Sequence, residues 1–178
     1  MNSRLYERAC SGGLIRHGRI FGLLLLLALS ARATSIQPKV DRVLVLKKKH
    51  QMLLLEGEQI VKTYFVAIGY GGLGPKWREG DHRTPEGVYQ VDWRNPASRF
   101  HLSLHLSYPG EADKARARKL GLSPGGNIMI HGLGSEFSDL GVKHYLEDWT
   151  DGCIAVTDVE IEEIWKLVPD RTPVEIRP

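Results

Sequence analysis

The sequence predicts a mainly β domain with two short helices. Three observations carry this: short β-rich runs fill the chain from Val40 onward, turn residues separate them, and only two stretches carry helix signals. A hydrophobic content of 42% and four Trp, without repeats or low-complexity tracts, exclude disorder and solenoids.

Residues 1–33 are expected to be a secretory signal. Arg4, Arg8, Arg16 and Arg19 precede the apolar run Ile20 to Leu29, and Ala31-Arg32-Ala33 follows as a small-x-small cleavage site. Cleavage after Ala33 leaves 34–178 as one domain of ordinary size. As a helix, Ile20 to Ser30 would span about 16 Å, roughly half a hydrocarbon core, so a retained anchor is the weaker alternative. Membrane attachment would then run only through an uncleaved leader. Of 24 Lys+Arg and 21 Asp+Glu, five cations and one anion lie in the leader, so the remainder is close to neutral. With no basic block beyond Lys47-Lys48-Lys49, nucleic acid is excluded as a partner. Cys10 is lost with the leader, which leaves Cys153 as a buried hydrophobe, an intermolecular bridge or a reactive thiol.

Val40 to Leu46, Gln51 to Leu55 and Gln59 to Ile68 form strands whose separators, Lys47-Lys48-Lys49 and Glu56-Gly57-Glu58, fit two hairpins. A Gly-rich loop, Gly69 to Pro85, with Trp77 inside it as a candidate lid, leads to a strand from Gly87 to Trp93. Phe100 to Tyr108 alternates, with Leu102, Leu104 and Leu106 on one face and His101, Ser103, His105 and Ser107 on a polar one. Glu111 to Leu120 is a polar helix ended by Gly121. Asn127 to Ile130 is a buried strand running into His131-Gly132, and Gly152 to Val156 is another. Thr157-Asp158-Val159-Glu160 is a capping box opening a second helix that ends before Pro169, and Thr172 to Arg177 is the last strand.

The residues able to do chemistry cluster in Ile128-Met129-Ile130-His131-Gly132 and Thr150-Asp151-Gly152-Cys153-Ile154. A free thiol has a pKa of about 8.5, so a neighbouring imidazole is needed to activate it. Gly152 permits close backbone approach, and the N–H groups of Gly152 and Cys153 can face a developing oxyanion, which points to acyl transfer. The plainer alternative packs Cys153 as a small apolar residue and His131 as a satisfied core histidine. No Gly-x-Ser-x-Gly or Ser-x-x-Lys occurs. Gly69-Tyr70-Gly71-Gly72-Leu73-Gly74 matches a dinucleotide fingerprint, but Pro75-Lys76-Trp77 follows in place of a helix. His101 and His105, with His131, His144 or Cys153, are a zinc alternative without the usual Cys pair. Glu147, Asp148, Asp151 and Asp158 form a solvated acidic surface unless the thiol lies beside them.

His131-Gly132, Thr150-x-Gly152-Cys153-Ile154 and Gly80-Asp81-x-Arg83-Thr84-Pro85-Glu86-Gly87-x-Tyr89 resemble the L,D-transpeptidase catalytic domain, or YkuD domain. Asn95-Pro96-x-Ser98-x-Phe100 and Tyr108-Pro109 are similar to its exported Gram-negative members. The resemblance implies a mixed β-sandwich or barrel and a periplasmic location. It implies Cys153 as acylated nucleophile and His131 as base, acting on peptidoglycan stem peptides. The tetrapeptide would be cut after meso-diaminopimelate with loss of D-Ala, and an amine or water would resolve the thioester. It implies Gly132 beside the base, Thr150, Asp151 and Gly152 in the oxyanion loop, and Arg83 and Tyr89 flanking the cleft; His105 and Ser107 are cleft-wall candidates by alternation alone. No metal or cofactor is implied. Asp151 and Ala155 stand where many members have a basic residue, which leaves the choice of acceptor open. The branch that the chain resembles includes proteins that hydrolyse the bond between peptidoglycan and its attached lipoprotein, so a hydrolase of the same site is the alternative. From another class, a catalytically silent wall-binding module would keep the pocket for recognition only.

Overall fold

The computed structural model describes residues 39–178; the expected signal peptide, with Cys10, lies outside the described residues. The strands are β1 (Arg42–Leu46), β2 (Gln51–Glu56), β3 (Gln59–Phe65), β4 (Gly87–Ser98), β5 (His101–Leu106), β6 (Met129–His131), β7 (Ile154–Ala155) and β8 (Pro173–Arg177). They form one sheet in the order β3-β2-β1-β8-β4-β5-β6-β7. The first two antiparallel pairs are the expected hairpins, and β1 pairs in parallel with β8. The chain beyond β3 then bridges to β7 at the opposite edge, where Ala67 and Ala155 exchange both backbone hydrogen bonds at 3.1 and 2.9 Å. The chain after β3 thereby joins the two ends of the sheet, whose interior holds Val43, Val45, Leu54, Val91, Leu104, Ile130 and Ile154, while β3 itself keeps an exposed edge.

Three helices accompany the strands where two were expected: α1 (Glu111–Lys119), α2 (Gly134–Phe137) and α3 (Asp158–Leu167). A four-residue helix is too short to show a 3.6-residue period, so α2 leaves no sequence signal. The α3 capping box is present: the Thr157 hydroxyl accepts from the Glu160 N–H at 3.3 Å, and the Glu160 carboxylate accepts from the Thr157 N–H at 2.8 Å. Ile161, Ile164 and Leu167 bury one stripe of this helix in the core. The polar face expected for β5 is wet only in part, because Ser103 is fully buried under its neighbours. Lys47 departs further: it opens a 3₁₀ turn yet is completely buried, its ammonium bonded to the Gly74 and Thr84 carbonyls and to Glu86.

Candidate active site

Strand pairing brings the two reactive side chains together. β6 pairs in parallel with β7, and His131 lies opposite Ala155. Cys153 precedes Ala155 by two positions, so the period-two alternation sets its side chain on the same face as His131. Both line a cleft of about 200 Å³ with Arg99, Phe100, Phe137, Trp149, Thr150 and Asp151. The turn before the thiol requires Gly152: its φ is +123°, and a Cβ there would lie 2.7 Å from the Arg83 carbonyl oxygen.

The loop after β3 anchors this turn from the other side. Tyr70 N–H donates to the Thr150 carbonyl at 3.0 Å, and Thr150 N–H donates to Ile68 at 3.2 Å. Within the turn, the Thr150 hydroxyl donates to the Cys153 carbonyl at 2.7 Å and accepts from the Gly152 N–H at 3.2 Å. The Gly152 N–H is therefore committed inside the turn and not free for an oxyanion. The Cys153 N–H meets no acceptor among the described residues and is the donor left for that role.

His131 is buried, with its ring stacked on Phe100 at 4.3 Å and meeting Trp149 edge-on at 5.9 Å. Nδ1 lies 2.6 Å from the Gly132 carbonyl oxygen, which can only accept, so Nδ1 carries the proton and Nε2 is the basic nitrogen. Burial lowers its pKa to about 4, and the positive charge of Arg99 adds to the effect. Burial also pushes the Cys153 thiol up; the Met129 N–H opposes this, and the carboxylate of Asp151 reinforces it. At neutral pH the cleft thus holds a neutral thiol and a neutral imidazole. Groups in those states can pass a proton only during attack by the sulfur, as in general-base catalysis, rather than before it.

The structure gathers Cys153, His131, Thr150 and Asp151 at the cleft. Gly132 sits behind the imidazole, with room for no side chain against Asp158. Arg83, Tyr89, His105 and Ser107 are not among the residues lining the cleft. Arg83 turns its Nε to the Gly71 carbonyl, 3.1 Å away, and Tyr89 is buried, donating to Asp113 at 3.1 Å. His105 stacks on Trp93 and bonds Asp92 at 2.6 Å, while Ser107 accepts from the Gln90 N–H at 3.0 Å. His101 is likewise taken up by Glu162. Among the described residues no cluster of three or more His, Cys, Asp or Glu side chains is arranged to hold a metal. Trp77 of the suggested lid lies under Arg116 of α1, 5.2 Å from the guanidinium, rather than over this cleft.

Sequence reasoning missed Arg99, Phe137 and Trp149. Arg99 gives the cleft a cation, and its guanidinium lies 4.6 Å over the Phe100 ring. Trp149, stacked on Phe137 at 4.3 Å, adjoins the Thr150-Asp151-Gly152-Cys153 motif, and an aromatic beside a reactive turn was the available signal. Phe137 and Arg99 carried none. The sequence predicts a solvated surface for Asp158, yet its carboxylate accepts the N–H groups of Leu133 and Gly134 at 2.7 and 3.0 Å and so secures the chain just past His131.

The family model for the L,D-transpeptidase catalytic domain, YkuD, matches residues 40–176. YafK of Escherichia coli (strain K12) is 33% identical over 116 residues, which make up 64% of this chain and 39% of YafK. The chain thus spans well under half the length of that relative. The helical cell shape determining protein Pgp2 of Campylobacter jejuni is 28% identical with a TM-score of 0.57, covering 78% of this chain and 47% of Pgp2. Bd1075 of Bdellovibrio bacteriovorus shares the fold at 24% identity and a TM-score of 0.54, over 82% of this chain and 50% of its own.

Proposed function

The chain belongs to the L,D-transpeptidase catalytic domain family, and on that premise we propose that it is a peptidoglycan-modifying cysteine acyltransferase. The observation that carries this reading is the placement of Cys153 and His131 on one face of adjoining strands, with the imidazole Nε2 left as a proton acceptor. In the first half-reaction Cys153 Sγ attacks the meso-diaminopimelate carbonyl that is bonded to the terminal D-Ala nitrogen of a tetrapeptide stem. Its proton passes to His131 Nε2 and then to the departing D-Ala nitrogen as the C–N bond breaks. The Cys153 N–H stabilises the oxyanion, and Arg99 receives a substrate carboxylate. An amine then takes the acyl group from the thioester.

Placement in the periplasm follows from the substrate and from the leader pattern. Likeness to a helical cell shape determining protein supports a part in shaping the wall. Hydrolysis is the second reading, because Asp151 beside the thiol is highly exposed and leaves water access to the acyl group. Its substrates would be the same stem peptides or a peptidoglycan-bound lipoprotein.

Mass spectrometry of purified disaccharide-tetrapeptide incubated with the protein, and with Cys153→Ala, tests the proposal. The expected product is a cross-linked dimer lacking one D-Ala, absent with the variant. Free tripeptide, or lipoprotein released from the wall, would replace transfer by hydrolysis. No reaction on either substrate would leave a silent binding module.

A further inference from the structure

A second cleft meets the first at Asp151. It encloses about 300 Å³ and is lined by Lys76, Glu79, His82, Gly125, Asn127 and Asp151, among others. The Asn127 carbonyl lies 3.5 Å from Cys153 Sγ, so this cleft also opens toward the thiol. Lys76 is neutralised within it by Asp81, 2.7 Å away. Glu79 bonds only the neutral Ser123 hydroxyl, and Asp151 only an imidazole. The uncompensated charge facing the cleft is therefore carboxylate, and the matching ligand is an ammonium.

His82 is built into this wall. Its Nδ1 lies 2.8 Å from Asp151 Oδ1, and its ring stacks on Tyr70 at 4.3 Å with an 18° tilt. A carboxylate only accepts, so Nδ1 carries the hydrogen and Nε2 is free. The backbone of His82 is left-handed, with φ of +54°, an uncommon state for a residue with a side chain. The Gly71 N–H, donating to the His82 carbonyl at 2.8 Å, helps hold it there. Tyr70, the stacking partner, is the residue that bonds Thr150, so the imidazole and the thiol-bearing turn share one framework.

We propose that Asp151 and His82 form a second proton-transfer dyad, which deprotonates an ammonium-bearing acceptor as it enters the polar cleft to resolve the Cys153 thioester. This rests on the acyl-transfer reading above. The two histidines divide the work by environment. His131, enclosed by Phe100 and Trp149, shuttles one proton between sulfur and nitrogen in a dry site. His82 is partly exposed and hands its proton to solvent. The acceptor R–NH₃⁺ gives a proton to His82 Nε2, and Asp151 stabilises the imidazolium formed. The freed amine attacks the thioester carbon, the C–N bond forms and the C–S bond breaks. The second amine proton reaches the leaving sulfur through His131, and His82 returns its own to water. No further reactant is needed.

The test separates the two half-reactions. The acylated protein is followed by intact mass, first-turnover D-Ala is measured, and resolution is timed with D-methionine, an ammonium at pH 7, and with hydroxylamine, already neutral there. His82→Asn is used because Asn tolerates the left-handed backbone, with Asp151→Asn as the second variant. In His82→Asn, first-turnover D-Ala release persists and acylated Cys153 accumulates, and in both variants resolution by D-methionine falls about 10²-fold, the scale of one lost general base. Resolution by hydroxylamine stays near that of the unaltered protein. Equal slowing with both acceptors, unchanged resolution, or a defect confined to acylation would each overturn the dyad. Absence of any Cys153 adduct in the unaltered protein would overturn the acyl-transfer function itself, and the dyad with it.

Discussion

His131 Nδ1 and the carbonyl oxygen of Gly132 lie 2.6 Å apart, and this contact decides which nitrogen of the imidazole can take a proton. The ring is packed between Phe100 and Trp149, where burial holds it neutral down to about pH 4. With the base unprotonated across that range, the acid limb of kcat/KM is expected near pH 4 rather than near 6.5. A pH profile of D-Ala release checks it, and a limb near 6.5 would mean that the imidazole is solvated in the working enzyme.

The same depression makes stability depend on pH. In the unfolded chain His131 titrates near 6.5, so above that pH neither state binds the proton and its contribution is complete. As pH falls from 6.5 toward 4 only the unfolded state takes up the proton, and roughly 3 kcal/mol is lost over that window. Urea unfolding at pH 7 and pH 4.5 should show this loss, and His131→Phe, which keeps the stacking, should lose less over the same interval.

Asp158 is expected to position His131 from a distance. Its carboxylate takes the N–H groups of Leu133 and Gly134, and a Cβ on Gly132 would lie 2.4 Å from its Oδ1. Asp158→Ala strips both donors of their acceptor, and Gly132→Ala forces the carboxylate away. Each should lower kcat more than it raises KM, because the donor cleft is untouched while the imidazole drifts. Asp158→Asn, which keeps one acceptor oxygen, should recover much of the rate. Equal losses for Ala and Asn would show that the charge, and not the hydrogen bonds, matters.

The strands and the capped α3 were legible because alternation and Thr157-x-x-Glu160 are local signals. That Cys153 and His131 line one cleft was legible because each adjoins a short apolar run, ending at Ile130 and beginning at Ile154, and these runs pair as buried strands. What was hidden depended on tertiary packing. Three successive lysines fit a hairpin turn, and only the carbonyls of Gly74 and Thr84, 27 and 37 residues away, reveal why Lys47 is buried. Residues 133–149 contain a four-residue helix and a kinked 3₁₀ segment, neither with a period, so Phe137 and Trp149 could not be aimed at the cleft. His105 failed the other way: it alternates correctly but is drawn to Asp92 and Trp93 on its own hairpin.

The thiol itself should be sluggish at rest. Burial and the Asp151 carboxylate both disfavour the thiolate, so alkylation of Cys153 by iodoacetamide at pH 7 is expected to be slower than that of free cysteine and to accelerate as pH rises. Asp151→Asn removes the repulsion and should speed the reaction at fixed pH. A Cys153 that alkylates faster than free cysteine at pH 7 would establish a preformed thiolate–imidazolium pair instead.

Lys47 offers a test of how the Gly-rich loop is held. All three ammonium protons are used, on Gly74 O at 2.6 Å, Thr84 O at 2.9 Å and Glu86 Oε1 at 2.9 Å, and the side chain is fully buried. Thr84 in turn accepts the Gly69 N–H at 2.9 Å, so the lysine ties both ends of the loop that carries His82. Lys47→Met fills the volume but leaves Glu86 and two carbonyls without a donor, which should cost about 3–5 kcal/mol in urea unfolding. Adding Glu86→Gln should recover part of that loss, since the orphaned charge is gone. Arg would not substitute, because its planar fork cannot reach three acceptors gathered around one nitrogen. If Lys47→Met unfolds at the same urea concentration as the unaltered protein, the ammonium is solvated in solution and the loop is held by its other contacts, among them those to Thr150, Ser123 and Arg116.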